Sequence, residues 1–362
     1  MPFVFLLLFF VLIAGNSYVT IRVLDCFPSL SGVGRTFVWV LLFLPIVFFI
    51  LNFLLSNKYL PYSMMRFLYL VGSSWLFFIL YMVIGLLIGD ILKLVFPLPH
   101  YYPIFLSFAI GVLLGIGYWN YDNPKVREVP ITLNKKCDIQ GFKVVAISDI
   151  HLGYGTTKSQ LKRYIKLIEA QSPDIILIGG DLIDNSVVPL IQENMIETLS
   201  LLKAPLGVFL VPGNHEYISG IESCQELLSE TNLQMLKDSV VTLSNGIQII
   251  GRDDRFNKSR VSLEVLMQSV DKNKPTIVLD HQPFEVELSE HYGVDLMFCG
   301  HTHRGQIWPI SLITDMLFDQ SYGYRLWGDS HVYVSSGLSL WGAPFRIGTD
   351  SELVVLNISS IK

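Results

Sequence analysis

Charge is scarce in this chain. Asp, Glu, Lys and Arg supply 16% of its 362 residues, against roughly 25% in an average soluble protein. The shortage is local: from Met1 to about Tyr121 the sequence is almost uncharged, and from Asp122 onward it has ordinary soluble composition. A basic excess is also missing. A net charge of −5 and a pI near 5.9 leave no electrostatic footprint for nucleic acid, so no nucleic-acid partner is expected. Cysteine is sparse. Cys26, Cys137, Cys224 and Cys299 are widely spaced, and no CxxC pair suggests zinc or redox chemistry. Single buried thiols suit a reducing compartment. Histidine is sparse too, at eight residues, so two on one short loop, in MFCGHTHRGQ (297–306), need a reason.

What the first third does contain is apolar length. Four stretches run Phe3–Thr20, Thr36–Leu55, Phe67–Ile88 and Pro103–Trp119. A helix spanning a bilayer needs about 20 apolar residues, so residues 1–121 are expected to form a bundle of about four transmembrane helices. The apolar part of the first stretch, Phe3–Ala14, resembles a signal-peptide core, but no Lys or Arg precedes it. An uncleaved span is the better reading. Four spans place both chain ends on one side of a membrane. That side carries Lys58, Arg66, Lys125, Arg127, Lys135 and Lys136, and the other carries Arg22, Arg35 and Lys93. The positive-inside rule then favours a cytoplasmic soluble part. The spans show no paired charges near a midplane, and Asn52, their notable polar residue, lies near an end. This argues against a transporter.

Residues 122–140 read as a linker and lead-in strand, and 141–362 as one domain. FKVVAI is a buried-strand pattern. SQLKRYIKLIEAQ places Leu161, Tyr164, Ile165 and Ile168 on one helical face. DIILI, LGVFLV, GIQII, PTIVL, VDLMF, HVYVS and ELVVL are further strand candidates, with a helical segment over about Pro189–Leu202. Strands alternating with helices indicate an α/β domain. Fewer helices among the later strands suggest two sheets packed face to face with helices outside.

Polar groups recur at the strand ends. AISDIHLG carries Asp149 and His151, LIGGDLID carries Asp181 and Asp184, and LVPGNHEY carries Asn214 and His215. VLDHQP carries His281, and FCGHTH carries His301 and His303. In α/β sheets ligands bind beyond the carboxyl ends of strands, so groups distant in sequence can converge. Mixed carboxylates and imidazoles suit Mn, Fe or Zn. Gly180, Gly213 and Gly300 beside them permit tight turns and close backbone approach.

The ordered set D-x-H, G-D-x-x-D, G-N-H-E, H and G-H-x-H resembles the calcineurin-like metallophosphoesterase family, over about Phe142–Ile358. The closing HVYVSSGLSLWGAPFRIGTDSELVVLNI is similar to the YkuE/YaeI-like branch of membrane-associated bacterial phosphoesterases. The resemblance implies a two-sheet β-sandwich flanked by helices and a binuclear metal site. It implies Asp149, His151, Asp181 and His303 on one ion, and Asp181, Asn214, His281 and His301 on the other, with Asp181 bridging. His215 would be a proton donor to the leaving oxygen, oriented by Asp184. The expected reaction is hydrolysis of a phosphoester or diphosphate by a metal-activated hydroxide. Where that branch usually has Gly, this chain has Arg304; a substrate-phosphate contact or a solvated side chain both fit there.

The remaining polar residues have plainer expectations. His100, His291 and His331 are expected to serve packing or surface roles. Arg252, Asp253, Asp254 and Arg255 are expected in a solvated turn, or less readily at the cleft mouth. Leu312, Ile313, Met316 and Leu317 share helical spacing, and Trp308, Phe318, Trp327, Trp341 and Phe345 lie nearby. They either cover the core or meet acyl chains. Three functions stay open: hydrolysis of a lipid-linked substrate, hydrolysis of a soluble nucleotide or small diester with the spans as anchor, and a silent metal-binding membrane sensor or scaffold.

Overall fold

A computed structural model describes residues 2–55, 60–135 and 141–360, with the side chains of 2–8 and 360 left out. Lys58, Lys136 and Cys137 lie outside the described residues. The chain divides into two compact units: Met1–Tyr118 with Gly342–Pro344, and Trp119–Trp341 with Phe345–Lys362.

The first unit is helical: α1 (Pro2–Asp25), α2 (Gly32–Leu54), α3 (Tyr62–Leu92) and α4 (Tyr102–Asp122). Among the described residues α2, α3 and α4 are long and apolar enough to cross a membrane, with mean hydropathies of 2.7, 2.3 and 1.6. Their outward side chains, such as Phe37, Leu44, Phe53 and Phe108, are exposed and apolar, as lipid-facing helices require. Small residues let such helices approach closely: a Cβ on Gly72 of α3 would lie 2.6 Å from the Phe49 backbone of α2. Arg22 and Arg66, expected in loops, fall inside α1 and α3. Arg22 pairs with Asp90, and Tyr102 donates a bond to Asp90 at 3.2 Å. The pair sits in the last turns of α1 and α3 rather than mid-span.

The second unit has twelve strands: β1 (Lys125–Leu133), β2 (Phe142–Ile147), β3 (Ile175–Ile178), β4 (Val208–Leu210), β5 (Leu233–Met235), β6 (Ser239–Thr242), β7 (Gln248–Gly251), β8 (Thr276–Leu279), β9 (Leu296–Cys299), β10 (Gly323–Trp327), β11 (Ser330–Val334) and β12 (Glu352–Ser360). They form two six-stranded sheets, ordered β1-β12-β2-β3-β4-β5 and β10-β11-β9-β8-β7-β6. β2, β3, β4 and β5 run parallel, as do β7, β8, β9 and β11. Parallel central strands buried on both faces explain their unbroken apolar runs.

Val144, Ala146, Leu177 and Phe209 of the first sheet pack on Ile249, Ile277, Leu296 and Phe298 of the second. Helices cover the outer faces. Helix α5 (Lys158–Glu169) opens on a Thr157–Gln160 capping box and buries Leu161, Tyr164, Ile165 and Ile168 against the first sheet. The segment expected as one helix near 189–202 is two short helices, Val188–Gln192 and Met195–Leu199. Asn194 between them is left-handed at φ 48°, a conformation that a helix cannot continue through.

Candidate metal centre

Five strands end at one place. Asp149 and His151 follow β2, Asp181 and Asp184 follow β3, and Asn214 and His215 follow β4. His281 follows β8, while His301 and His303 follow β9. The strands are parallel, so their carboxyl ends share one edge of the sandwich. Asp149, His151, Asp181, His301 and His303 have φ of 55°, 47°, 51°, 72° and 47°. Non-glycine residues in that region each cost about 1–3 kcal/mol and persist only where surrounding bonds hold them. Here the bonds are visible. Asp149 N–H donates to Gly180 O and His151 N–H to Asp181 O, at 3.0 and 2.9 Å. His301 N–H donates to the Asp149 carboxylate at 3.1 Å. Gly213 is required for space: a Cβ there would lie 2.1 Å from Asp181 Oδ1.

Two groups of donor atoms converge on Asp181. In the first, His151 Nε2 lies 3.3 Å from His303 Nε2, 3.9 Å from Asp149 Oδ1 and 3.7 Å from Asp181 Oδ2. His303 Nε2 lies 3.7 Å from Asp149 Oδ1. In the second, His281 Nε2 lies 3.1 Å from Asp181 Oδ2 and 3.2 Å from Asn214 Oδ1. His301 offers a donor atom within 4.8 Å of those of Asp181 and His281.

The donor set fits metal ions. His281 Nδ1 donates to Gly179 O at 2.8 Å. His281 Nε2 thus faces two oxygen acceptors. Burial lowers its pKa, but the charge and hydrogen bond of Asp181 and the charge of Asp149 outweigh that and hold it well above its usual range. A bound cation would take the place of the Nε2 proton. His151 and His303 likewise face each other through Nε2. Ring nitrogens that face carboxylate and imidazole atoms hold either a proton or a metal ion between them, and a backbone carbonyl behind a ligating imidazole is the usual support. Donors held at about 2.0–2.2 Å from one ion are themselves about 3–3.5 Å apart, close to the spacings seen.

Two of the imidazoles are held neutral. Burial first, then the charge of His281, holds His301 down at about 3. Burial and His151 hold His303 well below its usual range. Both stay neutral, the form that ligates. His215 behaves differently. Burial lowers its pKa, but the Asp184 hydrogen bond and the charges of Asp181 and Asp184 outweigh that, leaving it at about 9. Its Nδ1 lies 3.1 Å from Asp184 O and 3.3 Å from Asp184 Oδ1. Its donor atom also comes within 4.8 Å of those of His151 and Asp181, so proximity alone does not separate a ligand from an acid.

Comparison with known proteins places this geometry. The calcineurin-like phosphoesterase profile matches residues 142–305. An uncharacterized metallophosphoesterase of Aquifex aeolicus is 30% identical over 259 residues, covering 69% of this chain and 97% of that one. The chain belongs to the calcineurin-like metallophosphoesterase family. An uncharacterized metallophosphoesterase of Helicobacter pylori is 34% identical over 247 residues, covering 67% of this chain. This chain spans only 65% of the length of that relative. A transmembrane protein with metallophosphoesterase domain from Danio rerio is 30% identical, covering 64% of this chain and 56% of that one. Among solved structures, the calcineurin-like phosphoesterase YfkN from Bacillus subtilis covers 60% of this chain and 90% of its own at 14% identity, with a TM-score of 0.37.

Within this family site, two buried residues escaped the sequence reading. Glu216 accepts the N–H groups of Asp181, Ile183 and Gly213 at 3.1, 2.9 and 2.7 Å. It ties the β3 turn to the β4 turn, and burial with the nearby Asp181 charge raises its pKa to about 7. Its place in GNHE was the available signal. Arg346 is fully buried behind His303, and only its position in the closing segment hinted at it.

Other expectations change. Arg252, Asp253 and Asp254 are buried rather than solvated. Arg252 bonds Asp280 and Glu285 at 2.7 and 2.9 Å, and Asp253 accepts from Tyr217 Oη at 2.7 Å. Strand register alone could not show these partners, which come from separate loops. Arg304 stacks 4.5 Å over the Tyr322 ring. His291 packs on Tyr292 and His331 on Tyr324. Among the described residues neither they nor His100 join a metal-ligand cluster. Cys26, Cys224 and Cys299 are buried free thiols.

Proposed function

We propose that this chain is a membrane-anchored phosphohydrolase that uses two divalent ions to cleave a phosphoester or diphosphate. The observation that carries this reading is the position of Asp181. Its Oδ2 lies 3.1 Å from His281 Nε2 and 3.7 Å from His151 Nε2, so one carboxylate belongs to both donor groups. Asp149, His151, Asp181 and His303 would hold one ion; Asp181, Asn214, His281 and His301 the other. Manganese, iron and zinc all suit this donor set. Ions so bound supply a water of lowered pKa, from about 15.7 to about 7, and neutralise phosphoryl charge.

The chain's own groups do the remaining work. Asp184 engages Nδ1 of His215, which leaves Nε2 to give a proton to the leaving oxygen. The carbonyl of Gly179 sets the tautomer of His281. Arg304, beside His303, offers a guanidinium to a substrate phosphate. The substrate class we infer is lipid-linked, because the chain carries its own candidate spans. The candidate spans support a multi-pass membrane protein, and the balance of basic residues favours a catalytic unit in the cytoplasm.

The test is hydrolysis of aryl phosphomonoesters and phosphodiesters by the full chain, after chelation and then with each metal restored, beside Asp181→Asn. Metal-dependent turnover lost in the variant is expected. No turnover with any metal, despite two bound ions per chain, would favour a sensor or scaffold. Equal rates on lipid-linked and water-soluble esters would favour a soluble nucleotide or small diester, with the spans as an anchor only.

A further inference from the structure

The helix Ile310–Leu317 is inside out. Its single buried side chain is Thr314. Leu312, Ile313, Met316 and Leu317 are exposed, Met316 to 86%. Trp308, just before the helix, is 51% exposed. Monomeric soluble domains rarely show such a contiguous apolar patch without a binding role. These residues therefore do not cover the core, one of the two roles open from sequence.

The hydrogen bonds show where in the unit this helix is rooted. Trp308 N–H donates to Ile347 O at 2.8 Å, and Ile307 bridges Ile347. The neighbouring Arg346 carbonyl accepts from Asn120 Nδ2 at 3.2 Å. Asn120 lies in the last turn of α4, a helix apolar enough to cross a membrane. Asp350, three residues beyond Ile347, pairs with Lys125 at 2.8 Å. Lys125 opens β1, with only Asn123 and Pro124 between it and the end of α4. The segment that leads into the apolar helix is thus tied, through residues 346–350, to Asn120 at the end of α4 and Lys125 at the start of β1. At its other end Phe318 packs on Phe284 at 4.7 Å and meets the His301 ring at 6.3 Å.

We propose that Trp308 and the helix Ile310–Leu317 insert into the interfacial layer of the bilayer that carries the chain's own spans. The composition matches that layer. Aliphatic side chains occupy the helix, while Tyr322, Arg325 and Trp327 follow it, with the Arg325 guanidinium 4.5 Å over the Trp327 ring. Aromatic residues of amphipathic character collect at membrane–water boundaries, and an interfacial helix buries one apolar face there. Only Asn123 and Pro124 separate the end of α4 from β1. Such insertion would put the helix end at Phe318, and with it the His301 side of the metal centre, beside lipid headgroups. The inference does not require that the centre be hydrolytic.

The test uses the full chain in phosphatidylcholine vesicles and takes the tryptophan emission lost on Trp308→Phe as the signal of Trp308. Expected is loss of that signal when the acyl chains are brominated, with protection from aqueous iodide. The paired change Ile313→Asp with Met316→Asp should reverse both effects. A Trp308 signal quenched by iodide and untouched by brominated lipid would overturn the proposal. Protection from both quenchers, together with cross-linked dimers, would overturn it in favour of a second copy of the chain. None of these readouts depends on turnover, so a failed hydrolase assay and a failed insertion assay remain distinct results.

Discussion

Arg346 donates to the backbone carbonyl of His303 at 3.0 Å, and its second nitrogen donates to Gly337 O at 3.1 Å and Ser339 O at 2.8 Å. Ser339 N–H in turn donates to Asp149 O at 3.1 Å. One guanidinium thus fastens the His303 turn to the Asp149 turn. Burial, outweighing the charges of Glu352 and Asp149, lowers its pKa to about 10, so it stays charged at neutral pH. Arg346→Met would strand several carbonyls, each unpaired group costing about 1–3 kcal/mol. Arg346→Lys keeps the charge but cannot reach all of them. We expect both to lower stability in chemical denaturation, Met more than Lys. In the folded fraction, the ion at Asp149, His151 and His303 should weaken by roughly 10–100-fold, as loss of a supporting group does. Metal titration measures this.

Gly213→Ala isolates the close approach of two turns. The new methyl would lie 2.1 Å from Asp181 Oδ1, so the carboxylate shared by both donor groups must move. Metal content per chain should fall while the circular dichroism spectrum holds. Two ions per chain at unchanged affinity would show that the turns relax freely.

His215→Ala should separate proton donation from metal binding. A positioned acid contributes about 10²–10⁴-fold, and that contribution matters most for a poor leaving group. The expected loss is large for alkyl phosphodiesters and small for nitrophenyl esters, with metal content unchanged. Equal losses on both esters, accompanied by loss of an ion, would make His215 a ligand.

Glu285 gives an acid-dependent stability term. Burial raises its pKa, but the Arg252 hydrogen bond and the charges of Arg252, Arg260 and Arg255 outweigh this and hold it below 4.5. A depressed folded-state pKa means that the contribution is complete above the unfolded value and is lost as pH falls through the folded one. Wild-type and Glu285→Gln proteins should therefore differ in Tm at pH 7 and converge as pH drops below about 4.5. The carboxylate is partly exposed, so added salt should shrink the difference.

By itself the sequence determined the apolar helices and the buried strands β2, β3, β4, β7, β8, β9, β11 and β12, because each is written in a local run of hydrophobicity, while their pairing and order within the two sheets came from the tertiary structure. It also offered the ligand candidates, since Asp149, Asp181, Asn214, His281 and His301 each lie within four residues of the end of an apolar strand. The tertiary structure decided what depends on distant partners. Arg252, Asp253 and Asp254 resemble a solvated turn until Asp280 and Glu285 pair with Arg252, Tyr217 donates to Asp253 and Gln282 donates to Asp254. Glu216 becomes a clamp only when the turns after β3 and β4 lie side by side. The helix Ile310–Leu317 has the spacing of a core helix, and only the folded chain shows its apolar face turned outward. The physical reason is common to all three. A hydrophobic period is written within a dozen residues, whereas the burial of a charge or the exposure of a face is settled by which other segment arrives to cover it.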